Sequence, residues 1–437
     1  MKAPLAPSKS AASPGNRTLT IKILGGMSLG LVVGLAINLL GTFDGEHVVY
    51  QALITYGADG LFHIVGQAFV RLLQVIVIPL VLASLVCGTA SLSDITQLGR
   101  LGSKTLGLYL LTTAVAISGA LLAATLLQPG TNFPRGESIV FEAPEVPPFA
   151  DVIIGILPSN IVKATSQGDM LPLIVFAILL GIAMSTAGEA GKRMLSFFED
   201  LNAVIMKLVW VIMTLAPYGV FALIAQTFAT QGFDAFRPLI NYFLLVLMLL
   251  LAHTVITYSL FLKIFSGLNP VHFLKKIRSV QVFAFSTASS NATLPVTLEV
   301  VEQKLGVKRS VAAFTVPLGA TLNMDGTAIM QGVATVFIAQ VYGIDLTVIQ
   351  LLMVVLTATL ASIGTAGVPG VGLIMLSMVL TQAGLPVEGI GLIIGIDRLL
   401  DMVRTAVNVT GDCVVSCVVA KSENAFDREI FDQVEKG

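Results

Sequence analysis

The chain has 437 residues, 55% of them hydrophobic and only 12% charged, with a mean hydropathy of +0.89. A soluble domain carries about 25% charged residues, so the composition excludes an ordinary soluble enzyme and describes a polytopic membrane protein. The net charge of −1 gives no overall basic balance of the kind nucleic-acid binders use.

Charge-free runs recur at 23–43, 72–93, 105–134, 170–188, 208–233 and 238–262. Each meets or approaches the ~20 residues that a spanning helix needs. The alternating strands of about ten residues that mark a membrane barrel are absent. The fold class read from the sequence is therefore all-α. Residues 1–17, rich in Pro, Ser and Ala, read as a disordered tail, and the first apolar run has full spanning length rather than the length of a cleavable signal. Spans are expected at 18–41, 51–92 and 100–128. An outer loop at 129–150 follows, then helices at 151–186, 195–226 and 236–266.

Cations and anions fall in alternate connections. Lys2, Lys9, Arg17, Lys22, Arg100, Lys104, Lys192, Arg193, Lys263, Lys275, Lys276, Arg278, Lys304, Lys308 and Arg309 occupy one set. Asp44, Glu46, Glu137, Glu142, Glu145, Asp151, Asp234, Asp345 and Glu388 occupy the other, with Arg135 and Arg237. By the positive-inside rule the first set is cytoplasmic, which puts both termini inside a plasma membrane. Cys87, Cys413 and Cys417 read as small buried thiols. The four histidines show no ligand spacing, and His253 is read as packed or interfacial rather than as a proton carrier.

The second half departs from this regularity. Residues 279–303 flank a tip rich in Ser and Thr, Ser286-Thr287-Ala288-Ser289-Ser290-Asn291-Ala292-Thr293-Leu294-Pro295. Residues 346–387 carry no charge, yet Gly364-Thr365-Ala366-Gly367-Val368-Pro369-Gly370-Val371-Gly372 breaks them centrally. The arms on either side are too short to cross. Two re-entrant helical hairpins fit, entering from opposite faces as an inverted pair. The competing reading of the second is two tilted full spans joined by a tight turn. Between the hairpins, Asp325 is the only charge in 310–344. It sits in Asn323-Met324-Asp325-Gly326-Thr327, where unwinding would free carbonyls to join the carboxylate around a hard cation. The competing reading there is a carboxylate satisfied by a neighbouring arginine.

The last apolar stretch holds the clearest functional signal. On an α-helix Asp397, Asp401, Arg404, Asn408 and Asp412 fall within roughly 80° of one another, with Arg398 about 40° beyond. Five unpaired charges at a helix centre would cost on the order of 12–17 kcal/mol. The stripe must face partners, ions or water, which makes it a transport site by default. No nucleophile–base pair and no metal-ligand spacing suggests an enzyme.

These motifs resemble the dicarboxylate/amino acid:cation symporters, the glutamate transporter family, over nearly the whole chain. The matching stretches are Ala216-Pro217-Tyr218-Gly219-Val220-Phe221, the serine tip through Thr293-Leu294-Pro295, and Pro317-Leu318-Gly319-Ala320-Thr321-Leu322 running into Asn323-Met324-Asp325-Gly326-Thr327. The tip Ser362–Gly370 and the final stripe match as well. The resemblance implies eight transmembrane helices plus two hairpins in inverted repeats, a homotrimer in the membrane lipid, and an elevator mechanism. It divides the chain into a tail (1–17), scaffold helices 1–2 (18–98), transport helix 3 (99–128), outer loop and scaffold helices 4–5 (129–232), the rest of the transport domain (233–421) and a cytoplasmic tail (422–437).

Carried over position by position, the resemblance implies that Arg404 pairs with the substrate's side-chain carboxylate, a task suited to a planar two-pronged donor. Asp401 would hold the amino group. Thr327, Asn408 and Thr405, with Ala288, Ser289, Ser290, Val368 and Gly372, would complete the pocket. One sodium site would use Asp412, Asn408, Asn323 and Gly319. A second would use Thr321, Met324, Ser362, Ile363 and Thr365, and a third Asp325 and Asn323 with Tyr109, Thr112 and Thr113. Sodium would be cargo, and no cofactor is expected. The acids at Asp401 and Asp412 favour an acidic amino acid and sodium over a proton-coupled glutamate or C4-dicarboxylate carrier, the runner-up. Ala288 stands where archaeal members carry an arginine, and Arg398 is a candidate replacement for that cation. Asp397 and Arg398 read as tuning charges rather than ligands.

Overall fold

The computed structural model describes residues 14–43, 48–92, 99–131, 133, 154, 157, 159–167, 170–364, 367 and 369–433. Among these, every regular element is a helix apart from one antiparallel bridge between Val307 and Phe426. The chain opens with α1 (Pro14–Phe43) and α2 (Val48–Ala52), then a π-helical stretch (Leu53–Phe62) and α3 (His63–Leu92). Next come α4 (Gly99–Leu127), α5 (Ile161–Gln167), α6 (Met170–Thr186), α7 (Gly188–Met213) and α8 (Ala216–Gln231).

Two expected boundaries are corrected here. The single helix expected at 195–226 is two, α7 and α8, bent by 48°. Pro217 near the start of α8 explains the break, because proline lacks the N–H that would continue the ladder and its fixed φ starts a helix well. Within 151–186, the described residues hold α5 and α6 as separate helices. The expected span at 236–266 is continuous but composite: α9 (Phe236–Ala252), a π turn (His253–Thr257) and α10 (Tyr258–Ser266).

After α11 (Pro270–Lys276), hairpin 1 is α12 (Arg278–Thr287) and α13 (Ser290–Gln303). Lys276 Nζ donates to the Lys304 carbonyl at 2.9 Å and closes its base. Then α14 (Arg309–Leu322) and α15 (Asp325–Tyr342) flank the break at Asn323-Met324. Hairpin 2 is α16 (Val348–Ala361), a 3-10 turn (Ser362–Gly364) and α17 (Val371–Gln382). Its base is closed by Gln350 Nε2 on the Ala383 carbonyl at 2.9 Å. The arms have 10, 14, 14 and 12 residues, so at 1.5 Å per residue none reaches across the ~30 Å hydrocarbon core. The closed base and short arms favour the hairpin over the two-span alternative. The long α18 (Ile390–Ser422) and the short α19 (Arg428–Asp432) end the chain.

Among the described residues, four helices are long and apolar enough to cross a membrane: Ile21–Thr42, Val48–Cys87, Arg100–Leu127 and Arg237–Ser266. The bent pair α7–α8 makes a fifth if taken as one span. Elements of the second half fall outside such a count for the reasons that make them functional. Hairpin arms are short, α14–α15 is interrupted, and α18 carries the charged stripe.

Helices α1, α3, α6, α7 and α8 pack chiefly on one another, while α4, α9, α10, α14, α15 and hairpin 1 gather around α18. The most extensive contact of the first group, α1 against α8, is a glycine stripe. A methyl group at Gly26 would overlap the Pro217 carbonyl, and at Gly30 and Gly34 it would lie 2.6 Å from the carbonyls of Phe221 and Ala225. Glycine at every fourth position of α1 thus lets its backbone run along every fourth carbonyl of α8, the small-residue packing that apolar surroundings favour. The first group meets the rest of the protein through α8 and α1 against α18, and through α3 against hairpin 2.

Candidate functional site

The two hairpin tips touch. Ser289 Oγ donates to the Gly367 carbonyl at 2.7 Å, and the Asn291 N–H donates to the same oxygen at 3.2 Å. Ala288 takes the left-handed conformation (φ 48°) that ends α12, and Ser289 then caps α13 through the Ala292 N–H at 3.2 Å. Two half-helices therefore end against one another inside the protein, where their unpaired backbone groups find partners.

The stripe of α18 lies behind these tips. Arg404 is 1% exposed. Its Nη1 donates to Asp397 Oδ1 at 2.6 Å, and its Nη2 donates to Asp397 Oδ2 at 3.2 Å and to Asp401 Oδ1 at 2.8 Å. Its Nε has no partner among the described residues. Asp401 also accepts from Arg398 Nη1 at 3.3 Å and from the Gly370 N–H of hairpin 2 at 3.3 Å. Two acids and two arginines make this cluster formally neutral, which is how four charges tolerate burial. A methyl at Gly372 would sit 3.3 Å from both Arg404 Nη2 and Thr327 Cγ2. Arg404, Asp401, Thr327 and Gly372 thus share one locus. Thr405 is buried there, but its hydroxyl bonds its own helix at the Asp401 carbonyl, 2.8 Å away.

One helical turn further on, the break between α14 and α15 meets α18. Asn408 Oδ1 accepts from the Gly326 N–H at 2.7 Å, which satisfies an exposed donor at the start of α15. Asn323 Nδ2 donates to the Asn408 carbonyl at 2.6 Å and to Asp412 Oδ1 at 2.9 Å. Asn323 Oδ1 is buried with no partner among the described residues. A methyl at Gly319 would overlap Asp412 Oδ1 and the Tyr109 hydroxyl, so the backbone of α14 passes against both groups. Asn408, Asn323, Asp412, Gly319 and Tyr109 are thereby gathered.

Asp325 is fully buried. Its Oδ1 accepts from Thr113 Oγ1 at 2.6 Å and its Oδ2 from the Tyr258 hydroxyl at 2.9 Å, with His253 Nε2 3.2 Å from Oδ2. No arginine or lysine pairs with Asp325 or Asp412 among the described residues. The competing sequence reading, a carboxylate satisfied by a neighbouring arginine, does not describe either residue. Thr112 is buried beside them, but its hydroxyl bonds the Tyr109 carbonyl at 3.1 Å. Tyr109 itself donates to the Thr315 carbonyl at 3.0 Å.

Of the remaining expected ligands, Thr321 and Met324 lie at and just after the end of α14, and Ser362 and Ile363 lie in the 3-10 turn of hairpin 2 that α14 contacts. Ser362 Oγ donates to the Thr359 carbonyl and Thr321 Oγ1 to the Leu318 carbonyl, at 2.7 and 2.9 Å. Met324 Sδ is 3.4 Å from Asn408 Nδ2. Ile363 and Ser290 are buried. Thr365 and Val368 lie outside the described residues.

Sequence reasoning missed four partners. Asp397, read as a tuning charge, holds both arms of Arg404; its i, i+7 spacing from Arg404 is the signal that could have shown this. The Gly370 N–H is a backbone donor and leaves no mark of its own. His253 and Tyr258 both reach Asp325 although five residues apart, about 140° on an α-helix. The π turn at His253–Thr257 follows an i→i+5 pattern and turns both onto one side. That local change of period is not legible in composition.

Comparison with known proteins identifies the family. The profile of the sodium:dicarboxylate symporter family matches residues 19–422. The chain is 37% identical over 374 residues to the proton/sodium-glutamate symport protein of Geobacillus stearothermophilus, covering 84% of this chain and 88% of the relative. It is 35% identical over 376 residues to the proton/glutamate-aspartate symporter of Escherichia coli, with 83% and 86% covered. A C4-dicarboxylate transport protein of Bacillus subtilis is 31% identical over 373 residues, with 83% and 87% covered. The chain belongs to the sodium:dicarboxylate symporter family, and is a multi-pass cation-coupled membrane symporter rather than an enzyme.

Proposed function

We propose that the protein takes up L-aspartate and/or L-glutamate, driven by a sodium gradient, across the bacterial plasma membrane. One observation carries the reading. A neutral cluster holding Arg404 and Asp401 stands beside two buried carboxylates, Asp325 and Asp412, that no arginine or lysine neutralises among the described residues. An acidic amino acid brings two carboxylates and one ammonium, a net charge of −1. Bound cations balance that charge and the two buried acids together. Oxygen donors already stand there, including the unpartnered Asn323 Oδ1, and they suit a hard cation.

In this reading Arg404 takes the side-chain carboxylate and Asp401 the ammonium. Thr327 and Asn408, with the tips around Ala288, Ser289, Ser290, Val368 and Gly372, bind the main carboxylate, and Thr405 packs beneath. Sodium occupies the three ligand sets around Asp412, Met324 and Asp325. Scaffold helices trimerise, and the group around α18 slides as an elevator with both termini in the cytoplasm. The named relatives that carry glutamate or aspartate support this substrate class.

A proton-coupled glutamate or C4-dicarboxylate carrier is the second reading. It is favoured by the buried His253–Asp325 contact and by relatives whose names include protons or C4-dicarboxylates. Competition against labelled aspartate uptake in proteoliposomes tests the substrate. L-Glutamate should compete in the range of aspartate itself, and succinate or malate only far above it. Equal potency of succinate would overturn the amino-acid reading.

A further inference from the structure

Beyond α18 residues 423–432 stay packed on the protein. Glu423 meets Lys104 Nζ and Arg100 Nη2 of α4, each at 2.6 Å. After a left-handed turn at Asn424 (φ 53°) the chain runs antiparallel to 306–308, the link between hairpin 1 and α14. The Lys308 N–H donates to the Ala425 carbonyl at 2.9 Å, and the Asp427 N–H to the Gly306 carbonyl at 2.7 Å. Asp427 then caps α19 through the N–H groups of Glu429 and Ile430.

Phe431 is 1% exposed and fills a seat between the rings of His272 and Phe426, with centroids 5.3 and 5.7 Å away. Lys276 Nζ lies 5.6 Å from its ring centroid. The same ammonium, 4% exposed, donates to the Lys304 carbonyl at 2.9 Å and to the Ile430 carbonyl at 2.8 Å. His272 Nε2 donates to the Phe431 carbonyl at 2.7 Å. One buried cation therefore ties together the entry to hairpin 1, its exit and the C-terminal segment. None of the partners named belongs to α1, α3, α6, α7 or α8.

We propose that residues 425–432 are a strap that locks the base of hairpin 1 to the last helix. Docked, it fixes hairpin 1 as a rigid wall of the site. Undocked, it frees the hairpin to open towards the cytoplasm and uncouples solute movement from the driving gradient. The inference does not depend on which solute or cation is carried.

The seat offers its own test. Val307 and Phe426 form a non-hydrogen-bonded antiparallel pair, flanked by the two ladder bonds above. Such pairs place Cα atoms about 4.5 Å apart, within the reach of a disulfide. In the full chain carrying Val307→Cys and Phe426→Cys, hydrogen–deuterium exchange is compared before and after reduction. Oxidised protein should show slow exchange at 278–303 and keep gradient-driven transport. Reduction should raise exchange there by about tenfold or more, because the strap then lacks the Phe426 contact. In a second variant, Phe431→Ala, passive efflux of preloaded solute should rise relative to uptake. Exchange at 278–303 that stays unchanged while 425–432 exchanges freely would overturn the proposal. So would loss of transport in the cross-linked form, which would mean the strap must release during each cycle.

Discussion

Arg404 grips Asp397 with both arms of its guanidinium, at 2.6 and 3.2 Å, one face of a neutral four-charge cluster. A bidentate arginine–carboxylate pair fixes the plane of the fork as well as its position. The residue proposed to read the solute is therefore aimed chiefly by Asp397, with one further bond from Nη2 to Asp401, the acid proposed to bind the ammonium.

Replacement of Asp397 by Asn should separate these roles. The variant leaves a buried guanidinium one carboxylate short, and breaking a buried pair costs about 3–5 kcal/mol when a charge is left uncompensated. Thermal unfolding of the empty variant should drop accordingly. Added aspartate brings a carboxylate to Arg404, so it should raise the variant's Tm by more than it raises that of the wild type. An equal shift in both would show that Asp397 does not act through Arg404.

Arg404→Ala should abolish binding of acidic solutes while the protein still folds as judged by gel filtration in detergent. It also leaves Asp397 and Asp401 facing each other. On the scale for losing one partner of a buried pair, about 3–5 kcal/mol, aspartate affinity should fall by roughly a hundredfold or more. Calorimetry measures this, and wild-type affinity in the variant would refute the role of Arg404.

Asp412→Asn tests the cation set without touching Arg404. A lost charged contact is worth about 1.5–3 kcal/mol, so the sodium concentration needed for half-maximal aspartate binding should rise roughly ten- to a hundredfold. Unchanged sodium dependence would remove Asp412 from the cation site.

The α1–α8 stripe makes a prediction about the packing of these two helices alone. Gly30→Leu puts a side chain where a methyl already lies 2.6 Å from the Phe221 carbonyl. Overpacking of this kind costs about 1–3 kcal/mol, so the variant should melt earlier in detergent. Gly25→Leu, at a position where a methyl meets nothing within 4 Å, should not.

The contact of Glu423 with α4 should depend on acid. Hydrogen bonds from Lys104 and then Arg100 hold the Glu423 carboxyl below its ordinary value of 4.5. A depressed folded value means the contact contributes fully above that ordinary value and is lost as pH falls through the folded one. Exchange at the start of α4 should therefore rise below about pH 4.5 in the wild type. In Glu423→Gln it should be raised already at neutral pH.

Much of this was legible in the sequence because lipid is an unforgiving solvent. Charged residues in apolar runs had to be partnered, which located the α18 stripe, and short arms around Gly/Pro or Ser/Thr tips located both hairpins. The break at Asn323-Met324 followed from a lone carboxylate beside glycine. What stayed hidden depended on partner choice rather than pattern. Asp397 could pair with either arginine until the helix was built. His253 and Tyr258 converge on Asp325 only because a π turn resets the period. The strap, being polar and terminal, read as a tail.

The central claim is sodium-driven transport of an acidic amino acid, and one uptake experiment tests it most directly. Protein reconstituted into liposomes is given labelled L-aspartate under an inward sodium gradient, or under an inward proton gradient in sodium-free medium. The account predicts accumulation above equilibrium with sodium and little without it. Equal accumulation from the proton gradient alone would contradict it and would move the coupling role to the His253–Asp325 pair.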